Sequence, residues 1–168
     1  MPLPIAVTDT SVLIYLHHLG HLDSLSLFFR EVLVPSPVRI EFLSLPDRSS
    51  REVALNVLTR RGLFSPCNDF DSIEVALFKQ LKMHNAEAEA LSQLKLRNAD
   101  VLLIDERIGR KVAIREMRKV QGTLSIIVKL HKLGFIDYYS SVAKLRSEKK
   151  ARFSRAIIRE VYEREVGR

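Results

Sequence analysis

Four acidic residues stand where an α/β fold does its chemistry. Asp9 follows the short β-prone run Ile5 to Thr8, and Asp105 follows Asp100-Val-Leu-Leu-Ile104, the clearest strand pattern in the chain. Glu41 and Glu87 fall near the first turns of helices opened by Ser36-Pro37 and by Asn85. In an open parallel sheet, ligands bind beyond the carboxyl ends of the strands. Four carboxylates from four distant segments can therefore converge on one rim. Left uncompensated, such a cluster repels itself and raises its own pKa values. A hard divalent cation, Mg²⁺ or Mn²⁺, resolves the conflict, because it prefers oxygen ligands and keeps water positions open. Such an ion orients and polarises a phosphodiester and deprotonates a bound water. Taken singly, each acid also has a plainer reading: an Asp at a strand end caps the next helix, and a Glu in a first turn complements the helix dipole. Spacing alone leaves both readings open.

The elements that must position these acids alternate along the chain. After Asp9-Thr10-Ser11, the residues Val12, Leu13, Leu16 and Leu19 follow helical spacing to Gly20, and 22–29 continues as helix. Residues 31–34 read as a second strand, and Ser36-Pro37 has the N-cap-then-proline form of a helix start carrying Val38, Glu41 and Phe42. Residues 44–51 read as a polar loop before a helix over about 52–61. A short strand is expected at 63–65, an amphipathic helix at 71–82 and a helix capped by Asn85 from Ala86 to about Leu96. The unbroken apolarity of 100–104 suits a parallel strand buried on both faces. A helix at 107–115, a short strand at 118–120 and a helix at 124–133 introduced by Gly122-Thr123 follow, and the remainder is a charged helical segment. This alternation predicts a three-layer α/β/α sandwich around a mostly parallel sheet.

The chain has 168 residues, 46% hydrophobic and 28% charged, which fits one soluble domain burying roughly 70% of its unfolded surface. The expected division is a core domain over 1–140 with a basic helical extension over 141–168, on or flanking the same domain. No apolar run reaches the ~18 residues of a membrane helix, and the Met-Pro-Leu-Pro-Ile start lacks the basic region of a signal peptide. Cys67 is the single cysteine, which excludes an intrachain disulfide or a cysteine-cage zinc site. A cytoplasmic location is expected. Net charge is +7, and residues 144–168 hold nine Lys/Arg against four Asp/Glu. A basic surface favours a polyanion such as nucleic acid, or an acidic protein partner.

At the acidic positions the sequence resembles PIN-domain ribonucleases. The segment Val7-Thr8-Asp9-Thr10-Ser11-Val12-Leu13-Ile14 is similar to their opening strand and turn, and Val32-Leu33-Val34-Pro35 with Ile40-Glu41 to their second acidic region. Ala86-Glu87-Ala88-Glu89-Ala90-Leu91 and Ala99 to Arg107 resemble the third and fourth. Gly122-Thr123-Leu124 and Lys132-Leu133-Gly134-Phe135-Ile136 continue the likeness toward the branch related to VapC-type toxins, over roughly residues 5–137.

The resemblance implies a Rossmann-like sandwich with a Mg²⁺- or Mn²⁺-dependent ribonuclease site. By position, Asp9, Glu41, Glu87 and Asp105 match the acidic quartet that holds the metal and carries catalysis. Ser11 matches the hydroxyl residue supporting the first aspartate, and Thr10, Glu89 and Glu106 are further supporting candidates. Ala86 stands where the family often has Gly, and Glu106 where Asp is common. Glu87 and Glu89 compete for the third place; residues two apart on a helix point about 200° from each other, so both cannot face one metal. Glu87 fits the family spacing to Asp105 better, with Glu89 as the fallback. Relatives in the VapC-type branch form homodimers and are inhibited by a cognate antitoxin, so RNA, an antitoxin and a second copy are the expected partners.

Other residues invite assignments. Arg107, Arg110 and Lys111 follow Asp105 closely enough to meet an RNA phosphate, or form a solvated helix face. His17, His18 and His21 read as structural, and His84 could reach a phosphate. Cys67 lacks the pattern of a nucleophile. Arg152, Arg155 and Arg159 in the tail suit RNA, an acidic antitoxin segment or plain solubility. Two other classes compete with a nuclease: a non-catalytic RNA- or protein-binding domain, and a haloacid-dehalogenase-type phosphatase, which wants an Asp where Ser11 stands.

Overall fold

The computed structural model describes residues 2–167. Its sheet contains β1 (Ile5–Thr8), β2 (Glu31–Pro35), β3 (Phe64–Cys67), β4 (Val101–Leu103) and β5 (Lys119–Gln121). All the pairings are parallel, in the order β3-β2-β1-β4-β5. Parallel strands need helical crossovers and are covered on both faces. The period of two in the strands distributes their side chains accordingly. Ala6, Val32 and Val101, paired in register, face one apolar core, while Val7, Leu33 and Leu102 face the other.

The first core is closed by α1 (Thr10–Leu19), α2 (Ser36–Ser44), α3 (Arg48–Arg60) and one side of α7 (Thr123–Lys132). The second is closed by α4 (Ser72–Gln80), α5 (Asn85–Leu96) and α6 (Arg107–Arg115). This is the expected three-layer sandwich. A third cluster joins α7 to α8 (Tyr138–Glu148) and α9 (Arg155–Val166), around the fully buried Tyr138, whose hydroxyl donates to the Ile158 carbonyl at 2.8 Å. Among the described residues, no helix is long and apolar enough to cross a membrane.

Several boundaries differ from the sequence reading. The expected helix over 22–29 is a single 3-10 segment, Asp23–Leu27. The expected loop over 44–51 is much shorter, because Asp47 turns through the left-handed region at φ 63 and α3 begins at Arg48. Arg51 from that helix is buried over the Phe42 ring, 4.7 Å from its centroid, a packing contact that outweighs the polar composition of the stretch. The charged helical segment expected for the tail holds two helices, with residues 149–154 between them. The helix that carries the third acid is capped by His84 rather than Asn85, which is its first helical residue.

Candidate active site

The chain runs outward from β1 through β2 to β3, then returns to place β4 and β5 on the other side of β1. The carboxyl end of the β1–β4 pair is therefore the topological switch point, where adjacent crossovers leave on opposite faces and open a crevice. Asp9 and Asp105 both stand there. The Asp9 N–H donates to the Leu103 carbonyl at 2.9 Å, extending the β1–β4 pairing by one residue. The Asp105 N–H in turn donates to Asp9 Oδ2 at 3.3 Å.

A cleft of about 450 Å³ opens over this point, lined by Asp9, Glu41, Glu87, Asp105 and Glu106. All four members of the quartet expected from the resemblance thus face one cavity. Each is gripped by its own donors. Asp9 caps α1, accepting from the Val12 N–H at 3.0 Å and from the Ser11 hydroxyl at 2.7 Å. Glu41 accepts from the Thr10 hydroxyl at 2.6 Å. Glu87 reaches back to the N–H of His84 at 3.3 Å, at the start of α5. Asp105 takes two bonds from Thr123, backbone N–H to Oδ1 at 2.8 Å and hydroxyl to Oδ2 at 2.5 Å.

Glycine completes the seat of Asp105. Gly122 has φ −117, an ordinary conformation, so its identity is set by space: a Cβ there would lie 2.7 Å from Asp105 Oδ1 and 3.0 Å from Arg110 Nη1. Arg110 points inward, donating to the Ile104 carbonyl at 2.8 Å. Arg107 and Lys111 are exposed and stand outside the cleft lining. Glu106 caps α6 through the Gly109 N–H at 2.8 Å while facing the cleft. Glu89 is buried away from the cleft and accepts from the Asn85 amide at 2.7 Å.

The electrostatics follow from this placement. Burial, then the Asp105 charge, pushes Asp9 up to about 7, against the opposing pull of its donors Val12, Ser11 and the Asp105 N–H. Asp105 is raised by burial and pulled back by Thr123 and Arg110. Glu87 is raised by burial and then by Glu106. Tyr15, also lining the cleft, is raised by burial and then by Asp105 and Asp9. The donor set is all oxygen, and burial opposes the ionisation of Asp9 and Asp105, with the Asp105 charge adding to the rise at Asp9, a condition that a hard divalent cation relieves. Among the described residues, no three of His, Cys, Asp or Glu stand close enough together, as placed, to enclose a metal ion.

Sequence reasoning missed Thr123 as the partner of Asp105 and Tyr15 as a cleft residue. It also missed Lys150 and Phe153, which line the cleft from the tail. For Thr123 a signal existed: a hydroxyl residue at the first position of a helix, directly after a glycine, at the end of a neighbouring strand.

Fold and site together define an α/β/α domain of the Rossmann-like class with an acidic cleft at its switch point. Residues 5–166 match the PIN domain family, and the chain belongs to it. PIN domains are generally nucleases acting on RNA, and they typically use divalent metals. No curated protein matches the chain.

Proposed function

We propose that this chain is a Mg²⁺- or Mn²⁺-dependent endoribonuclease, the VapC-type toxin of a toxin–antitoxin pair, acting in the cytoplasm as a homodimer. Residues 1–140 carry the nuclease and 141–168 a basic helical extension of the same domain. The observation that carries the reading is the pair Asp9 and Asp105 at the switch point, where the Asp105 N–H donates to Asp9 Oδ2 and burial opposes the ionisation of both carboxyls.

Asp9 and Asp105, with Glu41 and Glu87, would hold the ion. When bound, it supplies polarisation of the phosphodiester and a lowered pKa for an attacking water. The chain's own groups do the rest. Ser11, Thr10 and Thr123 fix the carboxylate oxygens without cancelling their charge. Glu106 lines the same cleft as the quartet and adds to its acidic lining. Water attacks phosphorus, the bond to the 3′ oxygen breaks, and the products carry a 5′-phosphate and a 3′-hydroxyl.

The test uses the purified chain, RNA and Mn²⁺. Wild type cuts the RNA, and Asp9→Asn abolishes cutting with its circular dichroism unchanged. Cutting that persists in Asp9→Asn removes the role given to this residue. A wild type that neither cuts RNA nor takes up Mn²⁺ in a titration supports the second reading, a non-catalytic PIN-like binding domain. The toxin role predicts growth arrest on expression, relieved by an antitoxin encoded beside it.

A further inference from the structure

The tail linker between α8 and α9 forms one wall of the acidic cleft. Lys150, Arg152 and Phe153 line the same cavity as the four carboxylates, from more than 40 residues beyond Asp105 in sequence. The linker is held in place by its alternate residues. Ala151 is buried in the α7–α8–α9 cluster and its N–H donates to the Leu145 carbonyl at 3.2 Å. Phe153 packs on that cluster and meets Tyr15 edge to face, with centroids 5.7 Å apart. Lys150 and Arg152 alternate with these anchors and are exposed. Lys150 has φ 53, the left-handed conformation for which glycine is the usual residue.

A basic strap beside an acidic cleft has two possible uses. It could plug the site by pairing with the carboxylates, or it could leave them alone and bind an anion. Among the described residues, neither Lys150 nor Arg152 makes an ion pair or a hydrogen bond, and the carboxylates are held by hydroxyl and amide donors instead. Arg152 is near enough to pull the Tyr15 phenol down against the push of Asp9 and Asp105, so it sits close to the reacting end of the cleft without being spent there. Cations left unpaired beside a negative pocket are suited to the phosphates of a strand whose scissile group lies over the acids.

We propose that the 149–154 linker is a phosphate-holding strap, with Lys150 and Arg152 positioning an unpaired RNA strand across the acidic cleft. This rests on the nuclease reading. An unpaired strand is favoured over a duplex because the anchored Phe153–Tyr15 wall offers aromatic contact to an exposed base, which a duplex keeps stacked inside. Lys150 and Arg152 are positioning residues and take no part in bond breaking.

The test is the double variant Lys150→Ala/Arg152→Ala, measured two ways. In steady-state cleavage with Mn²⁺, KM for a single-stranded RNA should rise about tenfold while kcat stays within about threefold. In EDTA, fluorescence anisotropy with a short fluorescein-labelled single-stranded RNA should show weaker binding. The dependence of log affinity on log salt should become shallower by about 0.7 for each phosphate that the variant no longer neutralises. Arg152→Lys should recover most of its share, and Arg48→Ala/Arg60→Ala, an equal charge change on α3, should alter neither readout. Unchanged binding and KM in the double variant overturn the strap. So does faster cleavage, which would make the linker a plug, and so does equal wild-type affinity for a duplex. If wild type cuts no RNA, the nuclease reading fails by itself and the anisotropy series alone decides the strap.

Discussion

Replacing Asp9 by Asn should make the folded chain more stable at pH 8 while abolishing activity. Asp9 is 3% exposed, and its carboxyl is raised from an ordinary 3.8 to about 7. That rise corresponds to roughly 4 kcal/mol of ionisation cost carried by the folded state. Between about pH 4 and pH 7 the folded chain keeps a proton that the unfolded chain has released, so stability falls as pH rises through this window. Below it both states are protonated and the cost is absent. Above it the full cost is present.

Asparagine has no charge to bury, and its carbonyl can still accept from the Val12 N–H. Its NH₂ group, however, would replace Oδ2, which accepts from the Asp105 N–H, and a mismatched donor pair costs on the order of 1–2 kcal/mol. The net gain is about 2–3 kcal/mol at pH 8 and close to zero at pH 5, where the wild-type ionisation cost has shrunk to roughly 1.5 kcal/mol. For a chain of this length the difference at pH 8 moves Tm upward by about 5–10 °C. Thermal melts followed by circular dichroism in EDTA at pH 5, 6, 7 and 8 measure it. A variant no more stable than wild type at pH 8, or stabilised equally at every pH, refutes the burial argument. Mn²⁺ added to wild type should recover much of the same stability by binding the folded state alone.

Gly122→Ala should reduce cleavage roughly a hundredfold with a stability loss of about 1–3 kcal/mol, because the new Cβ presses on Asp105 Oδ1 while φ −117 stays permissible. Full activity in that variant would mean the Asp105 seat need not be rigid. Glu87→Gln and Glu89→Gln separate the two candidates for the third acid. The first should remove most cleavage, and the second, whose carboxylate faces Asn85 away from the cleft, should leave kcat within about threefold; the reverse pattern, read in the same RNA assay, reassigns the site.

Much of this arrangement is legible along the chain because it is local. The strands announce themselves by apolarity, and Asp9 and Asp105 lie one or two residues beyond them, where backbone direction alone decides which rim they reach. Helical phase shows that Glu87 and Glu89 cannot share one metal, and the choice of Glu87 rests on the family's spacing to Asp105. What the sequence conceals is long-range. Thr123 meets Asp105 across 18 residues, through β5 and its turn. Phe153 meets Tyr15 only because α8 and α9 pack on α7, and nothing in the charged composition of the tail indicates that Ala151 and Phe153 would fold inward while Lys150 and Arg152 stay exposed. The polar stretch at 44–51 misleads for a related reason. Pro46 does interrupt the helical pattern, but burial of Arg51 against Phe42 gives α3 an anchor that composition does not reveal.

The kind of donor around the acids decides what the cleft can do. Asp9, Glu41 and Asp105 each accept from a neutral hydroxyl, of Ser11, Thr10 and Thr123 respectively, and Asp9, Glu87 and Asp105 also accept from backbone N–H groups. Lysine or arginine in those places would have ordered the carboxylates equally well and held their pKa values down, but would have cancelled the charge that attracts a cation. A neutral donor fixes the oxygen's position and leaves its charge unspent. Arg110, the basic side chain nearest Asp105 by its effect on that group, donates to the Ile104 carbonyl rather than to the carboxylate. The cost appears as the raised pKa values of Asp9, Asp105 and Glu87, set first by burial and increased at Asp9 by Asp105 and at Glu87 by Glu106, a repulsion that a structural salt-bridge network would not have retained. A quartet built only to cap helices has no reason to hold that repulsion in one cleft, and the melts of Asp9→Asn with and without Mn²⁺ measure how much of it a divalent ion removes.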